Sequence, residues 1–226
     1  MRTLSRLTSV VAELAGDIAD VALSRECVGC GHEGPVLCAR CQARLPELPA
    51  RRKHEPPVWF AGEYEDLLRD LVIAHKERGV RALSSLLGGL LADCIGEAVP
   101  TTKSLVLVPI PAHRASLRSR GRDCLDEIAR AAVKELRCRG YTCSVDPMVK
   151  WQHETSRHTG QSARSRMEVE GALVARSTRT AAMSVVVVDD VITTGATVSA
   201  AVAALAQAGV HTDAVCCVAS RSLGTR

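Results

Sequence analysis

The stretch Val185-Val186-Val187-Val188-Asp189-Asp190-Val191-Ile192-Thr193-Thr194-Gly195-Ala196-Thr197 decides the fold. Four consecutive valines suit a strand covered on both faces, so the run predicts a central strand of a mostly parallel α/β sheet. Ser199, Val202, Leu205 and Ala206 follow at helical spacing, and Gly209 is placed to end that helix. Thr193 and Thr194 are its N-cap candidates. The unit is strand, loop, helix. Asp189 and Asp190 fall at the carboxyl end of the strand, where open α/β sheets bind ligands.

The chemistry of this unit points to a phosphorylated sugar. The first backbone N–H groups of a helix lack intrahelical partners and attract phosphate. Thr193, Thr194 and Thr197 add hydroxyl donors, and Gly195 and Ala196 let the backbone come close. Two carboxylates would repel a phosphate but suit the hydroxyls of a ribose, which donate to them. A P-loop reading fails because the chain has no Gly-rich segment ending in Gly-Lys-Ser/Thr. A Walker B reading of the valine run fails without that loop. A receiver-type acidic pocket belongs near the start of a domain, whereas only one helix and one strand follow here.

Working outward, 226 residues allow one or two domains. Aromatic residues are scarce, so the core must come from Ala, Val, Leu and Ile. A net charge of +4 does not by itself demand nucleic acid. No apolar run approaches the roughly 18 residues of a membrane span. Residues 7–23 read as an amphipathic helix interrupted by Glu13, Asp17 and Asp20, and the expected compartment is the cytoplasm.

Cys27, Cys30, Cys38 and Cys41 form two Cys-x-x-Cys pairs seven residues apart. Such pairs predict a closed tetrahedral four-thiolate site for structural zinc. A redox dithiol and an iron–sulfur cluster are the competing readings. Gly29 and Gly31 permit the tight turns, and His32 is a bystander. The other cysteines (Cys94, Cys124, Cys138, Cys143, Cys216 and Cys217) read mostly as small buried hydrophobes.

The Pro-rich segment from Leu45 to Pro57, with Arg51-Arg52-Lys53, reads as a linker. It divides the chain into 1–57 and 58–226. Beyond it come a short strand at 59–64, a helix from Leu67 ending by Gly79, and a Leu-rich helix at 82–95. A buried strand from Ser104 stopped by Pro109 and Pro111, a helix through Leu125 to Leu136, and a strand at 141–145 follow. Strands alternating with helices argue for a mostly parallel α/β sheet. Two segments are basic: His113, Arg114, Arg118, Arg120 and Arg122, then His153, Arg157, His158, Arg164 and Arg166. Arginine forks suit the oxygens of a diphosphate.

The Asp-Asp, apolar, Thr-Thr-Gly-Ala-Thr pattern resembles the phosphoribosyl diphosphate (PRPP) motif of type I phosphoribosyltransferases. That resemblance implies Asp189 and Asp190 on the ribose hydroxyls and Thr193, Thr194, Gly195, Ala196 and Thr197 around the 5′-phosphate. With the four-cysteine knuckle in front, the chain resembles the ComF/GntX family, whose competence branch is ComFC. Phe60 to Gly62, Lys76 to Gly79, Val108 to Pro111 and Arg120-Gly121 fit its pattern. Arg157, Gln161, Arg164 and Arg166 resemble its mobile loop. The family commonly shows Arg-Gly-Phe-Asn-Gln where this chain has Arg120-Gly121-Arg122-Asp123-Cys124.

The resemblance implies a phosphoribosyltransferase that takes PRPP with Mg²⁺ and an unidentified base and releases diphosphate. Arg114, Arg120, Arg157, Gln161 and Arg164 join Asp189, Asp190 and the Thr/Gly loop as its ligand residues. The alternative is a PRPP- or nucleotide-binding regulator without turnover that acts in DNA uptake with a helicase-like ATPase or other competence proteins. Direct nucleic-acid contact would fall to Arg51, Arg52 and Lys53.

Overall fold

The computed structural model describes residues 26–152, 173–176 and 183–221. The expected amphipathic helix at 7–23 lies outside them. A six-stranded sheet organises the chain. Its strands are β1 (Ala50–Arg52), β2 (Val58–Glu63), β3 (Ser104–Pro109), β4 (Thr142–Val145), β7 (Ser184–Ile192) and β8 (Ala214–Ser220). Their order is β1-β2-β8-β7-β3-β4, parallel except where β1 runs antiparallel to β2. A separate antiparallel pair joins β5 (Val149–Trp151) to β6 (Leu173–Ala175).

The valine-rich strands are buried on both faces, and their period of two divides the core. Leu105, Leu107, Val186, Val188, Cys216 and Val218 face one layer. Val106, Val108, Val185, Val187, Val215 and Cys217 face the other. The first layer is covered by α2 (Asp66–Glu77), α3 (Leu83–Ala98) and α5 (Cys124–Cys138). The second is covered by α6 (Ala196–Gln207), with Met148, Val149 and Leu173 beside it. This is the mostly parallel α/β architecture that the sequence predicts.

One local reading needs correction. The Leu45–Pro57 segment is not only a connection, because Ala50–Arg52 pairs with β2 and gives the sheet an antiparallel edge. Arg51 lies over the Trp59 ring at 5.7 Å and Arg52 over Phe60 at 5.6 Å, so cation–π contacts help seat this basic strand. A short helix α4 (Arg114–Arg120), not among the elements read from the sequence, follows the Pro109–Pro111 stop and is closed by left-handed Gly121. Of the six cysteines outside the knuckle, Cys94, Cys124, Cys143, Cys216 and Cys217 are buried, as the sequence suggests for most of them, and Cys138 is exposed at the end of α5.

The knuckle at 27–41 ends in a four-residue helix α1 (Ala39–Gln42) and packs on the main core. Val28, Val36, Leu37 and Leu45 lie against the first layer. Gly29 is pressed onto α2: a Cβ there would stand 2.7 Å from Leu67 Cδ1 and 3.0 Å from Cys41 Sγ. Among the described residues no helix is long and apolar enough to cross a membrane.

Candidate functional site

β7 carries Asp189 and Asp190 to the end of the sheet, and the chain then turns through Thr193–Gly195 into α6. The N-cap is Gly195, not Thr193 or Thr194 as the sequence suggests. The reversal needs a left-handed residue, and Gly195 has φ +78°. Thr194 Oγ1 accepts instead from the Ala196 N–H at 3.4 Å, one position further on. The loop stands open, with Thr193 and Thr194 exposed and Thr197 on the wall of a cleft.

That cleft has a volume of about 230 Å³. Asp189, Asp190 and Thr197 form one wall. Residues 110–113, Arg120 and Arg122 form the other, with Lys76 and Trp151 completing it. Pro109 ends β3 beside Val188 of β7, so the basic segment after β3 emerges next to the acidic pair. The cleft therefore joins two motifs about 70 residues apart in the chain, as parallel neighbouring strands allow.

The electrostatics are those of a crowded acidic pair with a resident cation. Burial, then the neighbouring Asp190, pushes the Asp189 carboxyl up to about 8. The Asp190 N–H, which donates to Asp189 Oδ1 at 2.8 Å, and Lys76 pull the other way. Lys76 Nζ reaches both oxygens of Asp190, at 2.9 and 3.0 Å. Burial opposes the Lys76 charge, but Asp190 and then Asp189 raise its pKa overall. Arg120 Nη2 donates to Glu77 Oε1 at 2.7 Å.

The Arg122 side chain is 7 % exposed and bound internally. It donates to the Glu127 carboxylate and to the His75 carbonyl. His75 is fully buried, with Nε2 2.9 Å from Ser84 Oγ and 3.4 Å from Glu127. Trp151 stacks on His113 with ring centres 4.1 Å apart, and its indole N–H donates to the Pro111 carbonyl at 2.9 Å.

Of the expected ligand residues, Asp189, Asp190, Thr197 and Arg120 line one cleft. Thr193, Thr194, Gly195 and Ala196 form the adjoining turn. Arg114 is exposed at the start of α4 and is not among the residues of the cleft wall. Arg157, Gln161 and Arg164 lie outside the described residues. Sequence reasoning did not assign Lys76 a role. The sequence marks it only as a cation opening the helix end Lys76 to Gly79, and its partner lies 114 positions away.

The second site is the knuckle. The sulfurs of Cys27, Cys30, Cys38 and Cys41 lie within 4.8 Å of one another, with Cys30 and Cys38 at 3.7 Å. A tetrahedron with metal–sulfur bonds of about 2.3 Å has edges of about 3.8 Å, so the four thiols are placed to bind a metal. The Cys38 N–H points at Cys27 Sγ at 3.3 Å. Burial opposes ionisation of Cys27, but such backbone N–H groups outweigh it and bring the thiol down to about 6. Burial, then the neighbouring thiols, pushes Cys41 up to about 12. All four would be thiolates only with a cation among them. His32 lies 3.3 Å from the Cys30 carbonyl and stands outside the set. Across known proteins, no family model and no curated protein matches the chain.

Proposed function

We propose that the chain is a ComF-type phosphoribosyltransferase that binds PRPP with Mg²⁺ and transfers the phosphoribosyl group to a nitrogenous base. The observation that carries this reading is the shared cleft, in which an acidic pair, an adjoining Thr/Gly turn at a helix start and Arg120 stand together. Asp190 and Asp189 accept from the ribose hydroxyls. The backbone N–H groups and hydroxyls of Thr193 to Thr197 receive the 5′-phosphate. Arg120 neutralises the diphosphate.

In the reaction the bond between ribose C1 and diphosphate breaks, its electron pair leaves with the diphosphate, and a ring nitrogen of the base bonds to C1 as its proton passes to the diphosphate or to water. Positive charge grows on the sugar, and fixed carboxylates and arginines stabilise the separating charges. Mg²⁺, held largely by ligand oxygens and water, supplies further charge neutralisation to the diphosphate. Zinc is the metal proposed for the four cysteines, in a structural role.

Calorimetry with PRPP and Mg²⁺, followed by diphosphate release across a panel of bases, tests the reading. Binding and release with at least one base are expected. Asp189→Asn with Asp190→Asn should abolish PRPP binding in a folded chain, and unchanged affinity would remove the site. A second reading has its own observation, since Arg122 sits where the family carries an aromatic residue and is consumed by Glu127 and His75. Tight PRPP binding without release for any base would establish a non-catalytic regulator.

A further inference from the structure

The last turn of α2 gives each of three consecutive residues its own partners. His75 is locked in the core by Ser84 and Glu127, and its carbonyl receives Arg122. Lys76 grips both oxygens of Asp190. Glu77 accepts from Arg120. Lys76 and Glu77 therefore occupy side chains that the functional reading gives to the ligand.

We infer, resting on that reading, that Lys76 and Glu77 are specificity-determining residues of the cleft. They hold Asp190 and Arg120 until one molecule carrying both a hydroxyl pair and phosphate groups replaces both partners. Hydroxyls alone would exchange an ammonium for neutral donors on a carboxylate that is 9 % exposed, which is a losing exchange. Phosphate alone frees Arg120 from Glu77 and leaves Lys76 where it is. A ligand with both groups takes Asp190 by its hydroxyls and offers its phosphates to the released ammonium. The charge on Lys76 then passes from one anion to another within the same cleft. Glu77 is 55 % exposed and turns to water at small cost. Because His75 is locked on both sides, the exchange needs side-chain movement only.

The test uses the full metal-loaded chain, with PRPP and inorganic diphosphate as separate probes and thermal melts to confirm folding. Glu77→Gln should raise diphosphate affinity about twofold to fivefold, and the gain should vanish in an Arg120→Gln background. Lys76→Gln should lower PRPP affinity about tenfold or more, with Lys76→Arg recovering part of the loss. Its diphosphate affinity should change less than about twofold, because that probe leaves Lys76 on Asp190. Equal losses for both probes in Lys76→Gln, or no loss for PRPP, would overturn the inference while leaving the functional reading intact. A wild-type chain that binds neither probe overturns both.

Discussion

Asp189 and His75 make the pH response of this fold calculable in sign. The Asp189 carboxyl stands at about 8 against an ordinary 3.8, so between those values the native chain holds a proton that the unfolded chain releases. Stability from this group is complete below the unfolded value and is lost as pH rises toward about 8. His75 runs the other way. Burial, then Arg122 and Lys76, lowers it from 6.5 to about 4, so its contribution grows as pH rises through that window. Well above pH 6.5 His75 is neutral in both states and, of these two groups, only Asp189 still titrates. Comparing wild type with Asp189→Asn cancels what both share, the cysteines included. The wild-type Tm is expected to fall relative to the variant between pH 6.5 and 8. Parallel Tm curves across that range would mean that Asp189 ionises normally.

At the scale of elements, the tightest joint lies between α3 and α5. A Cβ on Gly88 would stand 2.5 Å from Ala131 Cβ and 2.8 Å from the Ala132 nitrogen, whereas one on Gly89 would meet nothing within 4 Å. Gly→Ala inside a helix ordinarily gains up to about 1 kcal/mol. Gly89→Ala should show that gain. Gly88→Ala should instead lose about 1–3 kcal/mol, because backbone cannot yield as a flexible side chain does. Urea denaturation of the two variants decides it, and equal shifts of the same sign would refute the close contact.

The elements that were legible in the sequence are those whose own pattern is long enough. The continuous apolar runs of β3 and β7 announce buried strands, and the buried positions of α5 repeat at helical spacing. β1, β5 and β6 have three residues each, too few to show a period, and they exist through their pairing partners. The acidic pair and its loop were legible because they are contiguous. Lys76 was not, because its meeting with Asp190 depends on the strand order β2-β8-β7, which no local pattern encodes.

For the whole molecule, the knuckle is a structural partner of the sheet. Its apolar side chains pack on the main core, so losing the metal should be felt well beyond residues 27–41. Metal analysis of protein purified without added metal is expected to find about one zinc per chain. Cys41→Ser should lose that metal and lower the Tm of the whole chain by several degrees, since one kcal/mol is about 2–4 °C at this size. Cys138→Ser, on an exposed thiol away from the knuckle, should change neither. A Cys41→Ser protein with full metal content would refute the four-thiolate site.

Helix α2 touches Gly29 of the knuckle through Leu67 in its first turn and holds Asp190 through Lys76 in its last. Its 12 residues make a rod of about 18 Å with the four-cysteine cluster at one end and the acidic cleft at the other. Thermodynamic linkage across such a rod is reciprocal: whatever factor the metal contributes to ligand affinity, the ligand returns to metal affinity. Comparing the chelator concentration needed to strip the thiols with and without ligand measures that factor, at the opposite end of the helix.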